Sequence, residues 1–343
     1  MERKRSTIFF TISYGIPLLS AILMFIGYQQ EIELGAFASM FMFLPAMGVM
    51  LGVLMTSHNP LIPKRFFSGY LILSIIAIGI ACASLFMPND NWMIISTVVS
   101  MAGSILASVL LFTEKKEKRL AFGLKGNKWK LSFGLMGLFL ALYVLRFIIV
   151  YALSGDLSWL IKNFSKLETW GAVAFTIVMY VVNWIMYFGE EYGWRYYLQP
   201  ILQHKFGTLK GVLVLGVVWG LWHAPLNFFF YAKPEIGIFS LMGQIMNCIG
   251  LGIFFAYCYM KTDNIWLVSI LHFLNNNLSP LFSDASASSA SVSNSDMIAG
   301  TLLITGLSLI IFAIVGFSKL FRSPSTLPTL EERLATVERQ LDD

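Results

Sequence analysis

Apolar residues run in long stretches along this chain, and polar positions gather in short segments between them. Ten stretches reach about 20 residues, enough for a helix to cross the hydrocarbon core. They lie at about 7–27, 34–55, 67–87, 92–112, 131–153, 170–190, 211–230, 238–260, 265–283 and 298–318. A backbone inside a bilayer must satisfy its own hydrogen bonds, so runs this long and apolar predict helices and not half-buried strands. The expected fold class is all-α, a polytopic transmembrane helix bundle of about ten spans.

Charge orients the bundle. Of 24 Lys and Arg, twenty fall in segments on the inner side if the N-terminus is inside, and three (Lys162, Lys166, Lys233) fall outside. Arg146 lies within a span. The positive-inside rule then predicts both termini in the cytoplasm. Composition agrees: 57% of residues are hydrophobic and 13% charged, against roughly 25% charged in a soluble domain. Mean hydropathy is +0.71. A soluble enzyme, a disordered chain and a collagen-like fibre are excluded. The net charge of +5 marks the inner face and implies membrane lipid, not nucleic acid, as a partner. Cys82, Cys248 and Cys258 sit in apolar stretches without CxxC spacing and read as packing residues. The N-terminal MERKRST has no small-x-small cleavage site after it, so the first apolar run reads as a retained span.

Three regions follow. Residues 1–150 read as accessory transmembrane helices, 151–320 as the core that carries the polar chemistry, and 321–343 as a cytoplasmic amphipathic tail. Within the core, SDASASSASVSNSD (283–296) reads as a flexible outer loop. In the tail, Thr329 and Glu332 have capping-box spacing. Leu330, Leu334, Val337 and Leu341 form an apolar stripe. The membrane surface and a second subunit both suit that stripe, so oligomerisation through the tail is one of two expectations.

Ionisable groups inside a bilayer are costly, and each raises a question of function. The richest segment is FGEEYGWRYYLQP. Glu191 and Arg195 stand at i,i+4 and face each other, while Glu190 points about 100° away. Arg195 can hold Glu191 in a pair and leave Glu190 to face the interior, where a sheltered carboxylate suits a general base. Solvated charges at a helix end are the ordinary alternative. The second segment is WGLWHAPLNFF, with Trp219 one turn before His223 and Pro225 loosening the helix. The third is LHFLNNNLSP, with His272 and Asn276 on one face, and Asn275 and Asn277 turned elsewhere as helix-packing groups. A lone histidine in an apolar helix is more often a packing residue. Together, a carboxylate, a histidine and a His/Asn donor pair on three helices, all toward the inner half, make up the inventory for water-mediated peptide hydrolysis. Arg146 fits either snorkelling to the outer interface or a counter-ion role toward an acidic group or a substrate carboxylate.

In this order and spacing the three segments resemble the motifs of the CPBP family. These are the CAAX proteases and bacteriocin-processing enzymes, including type II CAAX prenyl endopeptidases. The resemblance covers about 170–280, and the surrounding words are similar to bacterial members. It makes 151–320 a protease core in a bacterial cytoplasmic membrane, with the active site toward the cytoplasmic side and a peptide or protein as substrate. It implies that Glu190 activates a water with help from His223, and that His272 and Asn276 stabilise the oxyanion. Glu191, Arg195 and Trp219 then support the site, Trp219 standing where the family usually has Phe. The family has been described both as metal-dependent and as a glutamate-type protease. Zinc could be held by Glu190, His223 and His272, but no HExxH is present, and the expectation is a metal-free site without cofactor. A non-proteolytic member, giving bacteriocin self-immunity or acting as a scaffold, would share the fold. An ion-coupled transporter would show repeat symmetry, and none is visible.

Overall fold

The computed structural model describes residues 2–87, 91–282, 293–322 and 327–342. The serine-rich segment therefore lies outside the described residues over 283–292. Every regular element described is a helix. The long ones are α1 (Glu2–Gln29), α2 (Gly35–Thr56), α3 (Lys64–Phe86), α4 (Trp92–Thr113) and α5 (Trp129–Ser154). A bent pair follows, α6 (Leu167–Asn183) and α7 (Ile185–Phe206), at 73° to each other. Then come α8 (Thr208–Trp222), α9 (Ala224–Phe229), α10 (Gly237–Thr262), α11 (Ile265–Leu278), α12 (Asn294–Ala313) and α13 (Leu330–Asp342).

Among the described residues, eight helices are long and apolar enough to cross a membrane, α8 and α9 together counting as one of them. They match eight of the ten apolar stretches. The chain is an integral membrane protein, an all-α bundle whose apolar side chains, such as Leu18, Ile75, Phe86 and Phe175, stand exposed on its flanks. The remaining two stretches differ from simple spans. The sixth is the bent pair, broken at Trp184. The ninth is the 14-residue α11 followed by a 3₁₀ turn, Ser279–Phe282. At 1.5 Å per residue α11 is about 21 Å long, short of a core about 30 Å thick. Both irregular stretches carry polar motifs. A break or early end in a helix is tolerated at membrane depth where it is buried in protein or lines a cavity.

α2 is apolar all round and buried on nearly every side, as a helix at the centre of a bundle should be. It packs against α1, α3 and α7. Contact with α7 is close: a Cβ placed on Gly193 would collide with Cβ of Pro45. The first 150 residues are thus bound tightly to the segment that holds the glutamates. Trp222 Nε1 donates to the Ser13 carbonyl at 2.7 Å, tying α1 to the end of α8.

The tail helix α13 starts with the expected capping box. The Thr329 N–H donates to Glu332 Oε2 at 2.7 Å, and the Glu332 N–H returns to Thr329 Oγ1 at 3.5 Å. The Thr329 N–H holds the Glu332 carboxyl below the usual carboxylate range. The reciprocal cap is therefore present at neutral pH and is lost as pH falls through that depressed pKa. The stripe docks on the chain's own body: Leu330 and Val337 are buried, and Leu341 remains exposed. Arg333 makes a two-pronged pair with Asp263 at 2.6 and 2.9 Å, and Arg5 meets Glu331 at 2.5 Å. These contacts gather the tail, the start of α1 and the turn before α11 at the end of the bundle richest in Lys and Arg, hereafter the basic end.

Candidate active site

Three local irregularities position the polar side chains. At the first, α6 stops and Trp184 turns the chain. Trp184 Nε1 donates to Ser108 Oγ at 3.1 Å, and the Ile185 N–H to Ser104 Oγ at 3.2 Å, both on α4. Two turns later α7 passes into a π-helical stretch, Tyr192–Leu198, beginning directly after the glutamate pair. π-Helical turns inside α-helices occur mostly at functional sites. At the second, α8 ends and His223 occupies the junction with α9, where Pro225 has no N–H to continue the ladder. At the third, Asn264 caps α11 by accepting the Trp266 N–H at 3.2 Å, and α11 carries His272 and Asn276 inward.

Glu190, Trp219, His223, His272 and Asn276 line one cavity of about 410 Å³. Glu190 is 1% exposed and Glu191 and Arg195 are fully buried. Glu190 Oε1 accepts from Trp219 Nε1. Glu191 and Arg195 stand behind the wall. Arg195 Nε is 2.9 Å from Glu191 Oε2, an ion pair by distance whose atoms lack hydrogen-bond alignment. The guanidinium lies over the rings of Trp219 (4.8 Å) and Phe255 (5.6 Å), so cation–π attraction shares in holding it. Glu191 Oε1 reaches His272 Nδ1 at 2.9 Å.

The two histidines are set differently. His223 Nδ1 is 2.9 Å from the Trp219 carbonyl. A carbonyl only accepts, so Nδ1 carries the proton, and in the neutral ring Nε2 is an acceptor. His272 Nδ1 meets a carboxylate that is also paired with Arg195, so this nitrogen too is the donor. Its Nε2 donates only when the ring is an imidazolium. Asn276 is exposed within the cavity wall, and its Oδ1 accepts from Asn275 Nδ2 at 3.0 Å. That leaves the Asn276 amide N–H groups as donors.

Several wall residues escaped the sequence reading. Asn227 is buried one turn past His223, donates to the His223 carbonyl at 3.0 Å and accepts from Ser240 at 2.6 Å. Gln244, Asn247 and Asn275 also line the cavity. Their signal was present as isolated amides in apolar helices, the same signal that marked Asn276. Asn275 thus faces the site, whereas Asn277 packs helices together through Tyr187 Oη at 2.7 Å. Ala38 and Met42 bring α2, from the region read as accessory, into the wall. Depth differs as well. α11 begins at the basic end, which puts His272 about 10 Å and Asn276 about 16 Å along it. Ser240, Gln244 and Thr301 belong to the halves of α10 and α12 remote from that end. The cavity therefore extends from the half of the bundle nearer the basic end past its middle.

Arg146 does not line this cavity. It is 6% exposed, so it does not snorkel, and it lies between the rings of Tyr143 (4.4 Å) and Phe147 (4.6 Å) while donating to Ser308 Oγ at 2.7 Å. Among the described residues no three His, Cys, Asp or Glu side chains converge to hold a metal ion. Glu190, His223 and His272 share the cavity, but one donor atom of each is already engaged, by Trp219 Nε1, the Trp219 carbonyl and Glu191.

Residues 169–278 match the family model described as Type II CAAX prenyl endopeptidase Rce1-like. That stretch contains Glu190, Glu191, Arg195, Trp219, His223, His272 and Asn276. The family match thus falls on the stretch that carries the CPBP-like motifs. The chain is also similar to "CAAX prenyl protease 2" of Methanococcus maripaludis, 32% identical over 92 residues, which are 25% of this chain and 34% of that protein. The chain thus spans about a third of the length of the curated relative it matches. In this segment the indole at 219 meets three of the polar groups: Glu190 by its N–H, Arg195 by its face, and His272 with ring centroids 5.6 Å apart.

Proposed function

We propose that the protein is an intramembrane endopeptidase that hydrolyses a bond in a peptide or protein substrate, using Glu190 to activate water. The observation that supports this most is the convergence of Glu190, His223, His272 and Asn276 on one cavity. Water sits between Glu190 Oε2 and the acceptor Nε2 of His223. As its oxygen bonds to the scissile carbonyl carbon, its proton passes to Glu190. The carbonyl oxygen becomes an oxyanion and receives N–H bonds from Asn276 and from His272 Nε2. Each such donor is worth about 3–4 kcal/mol of barrier. For His272 to donate through Nε2 it must be the imidazolium. The C–N bond then breaks, and Glu190 returns the proton to the leaving amine. The products are a carboxylic acid, which keeps the second proton of the water, and an amine, and no step uses a metal or cofactor.

Trp219 departs from the family's usual Phe and gives Glu190 a donor that Phe cannot. Trp219→Phe keeps an aromatic face for Arg195 and removes that bond. Since a hydrogen bond to a charged group is worth about 1.5–3 kcal/mol, the variant is expected to lose no more than about that much stability while turnover falls roughly 10- to 100-fold. An unchanged rate in the folded variant counts against a working bond.

We assign the basic end to the cytoplasm, which puts both termini inside a bacterial cytoplasmic membrane and the cavity in the inner half of the bilayer, reaching past its middle. The reading is tested with purified protein in proteoliposomes, offered quenched-fluorescent peptides with and without a lipidated C-terminus. Cleavage that persists in a strong chelator is expected. Loss of cleavage on chelation, restored by zinc, overturns the metal-free mechanism. No cleavage of any peptide by folded protein counts against the peptidase and favours a scaffold or immunity role.

A further inference from the structure

A second cavity, about 480 Å³, opens on the flank of the bundle near the basic end. Its walls come from the last turns of α4, the connection before α5, the end of α6 and the first turns of α11. Phe112, Val181 and Ile270 supply an apolar side; Phe112 and Val181 stand exposed among the other apolar side chains of that flank. Three tryptophans, Trp129, Trp184 and Trp266, line it. Tryptophan concentrates where hydrocarbon meets headgroup, because its ring is apolar and its N–H is not. Trp266 Nε1 donates to the Leu124 carbonyl at 3.0 Å and Trp184 Nε1 to Ser108, so both rings are fixed in place.

Arg119 and Lys125 form the charged rim. Arg119 Nε is buried without a hydrogen-bond partner, and its guanidinium lies 5.7 Å from the centre of the Phe112 ring. Among the described residues Arg119 makes no ion pair. No carboxylate lines the cavity. Of the two carboxylates nearest in sequence, Glu117 does not line the cavity, and Glu114 accepts from the Arg65 N–H at 2.8 Å and pairs with Lys118 at 3.8 Å. One side of this cavity thus offers two cations, one with an unsatisfied donor, and the other opens to the acyl region.

We infer that this cavity is a binding site for an anionic phospholipid, its phosphate held by Arg119 and Lys125 and an acyl chain laid along Phe112, Val181 and Ile270. A free anion would leave the apolar wall uncovered, and a zwitterionic lipid brings an ammonium to a rim that is already positive. The occupant would rest against Trp184 and Trp266. Their rings pack on Phe188 at 5.5 and 5.1 Å, two residues before Glu190. The site stands whether or not the protein cleaves peptides.

The test is the thermal unfolding midpoint of the full chain in neutral detergent, titrated with phosphatidylglycerol, phosphatidylcholine or inorganic phosphate. Phosphatidylglycerol alone is expected to raise the midpoint. In Arg119→Gln/Lys125→Gln the apparent affinity for it should fall about 30-fold, at roughly tenfold or less per lost charge. Lys115→Gln/Lys116→Gln, which removes the same charge from the same connection outside the cavity, should keep the effect. Val181→Trp fills the apolar side without changing charge and should also abolish it, covering a failure of the charge variant to fold. An equal shift with phosphatidylcholine or with phosphate alone overturns the inference. So does a phosphatidylglycerol shift that survives Arg119→Gln/Lys125→Gln and Val181→Trp, or one lost equally in Lys115→Gln/Lys116→Gln.

Discussion

Glu190→Gln is expected to fold as the wild type does and to lose peptide cleavage by at least 10²- to 10⁴-fold, the range for removal of a general base. The amide is nearly isosteric, and its Oε1 can still accept from Trp219 Nε1 as Glu190 does. What it cannot do is take a proton from water and hand it to an amine. The measurement is a rate in proteoliposomes beside a thermal unfolding curve of the same preparation. A folded Gln variant that turns over normally removes Glu190 as the base.

The neighbouring glutamate should behave in the opposite way. Glu191→Ala is expected to destabilise the protein by about 3–5 kcal/mol, the cost of leaving one partner of a buried pair uncompensated. Arg195 is fully buried, and Glu191 is the carboxylate within ion-pair distance of it. His272 loses its Nδ1 partner in the same stroke. The readout is the unfolding midpoint and the yield of dispersed protein in detergent. A Glu191→Ala protein as stable as wild type contradicts the structural role of the pair. The contrast between two adjacent glutamates is more informative than either variant alone, because a general dislike of polar changes inside the bundle would affect both alike.

Much of this site was legible because the membrane makes polar residues conspicuous. Against 57% hydrophobic residues, two glutamates with an arginine four residues on, and two histidines in apolar helices, stand out without any knowledge of the fold. Helical spacing gave the Glu191–Arg195 pair and turned Glu190 away from it, and both features are present in the structure. Spacing within a helix says nothing about what comes from a neighbouring one. The bond from Trp219 to Glu190 and the contact of Glu191 with His272 join helices 29 and 81 residues apart in sequence. The π-helical stretch after Glu191 and the 73° bend at Trp184 were equally hidden, since an apolar run reads the same whether its helix is straight or broken. The tail stripe was visible, but its partner was not. Arg333 and Asp263 are 70 residues apart and meet only once the bundle has formed.

The most direct measurement is comparative peptidomics of cells carrying wild type or Glu190→Gln at equal, verified membrane levels. At least one peptide or protein terminus should be present with wild type and absent with the variant. Identical peptidomes from two folded, equally abundant proteins would contradict the hydrolase reading.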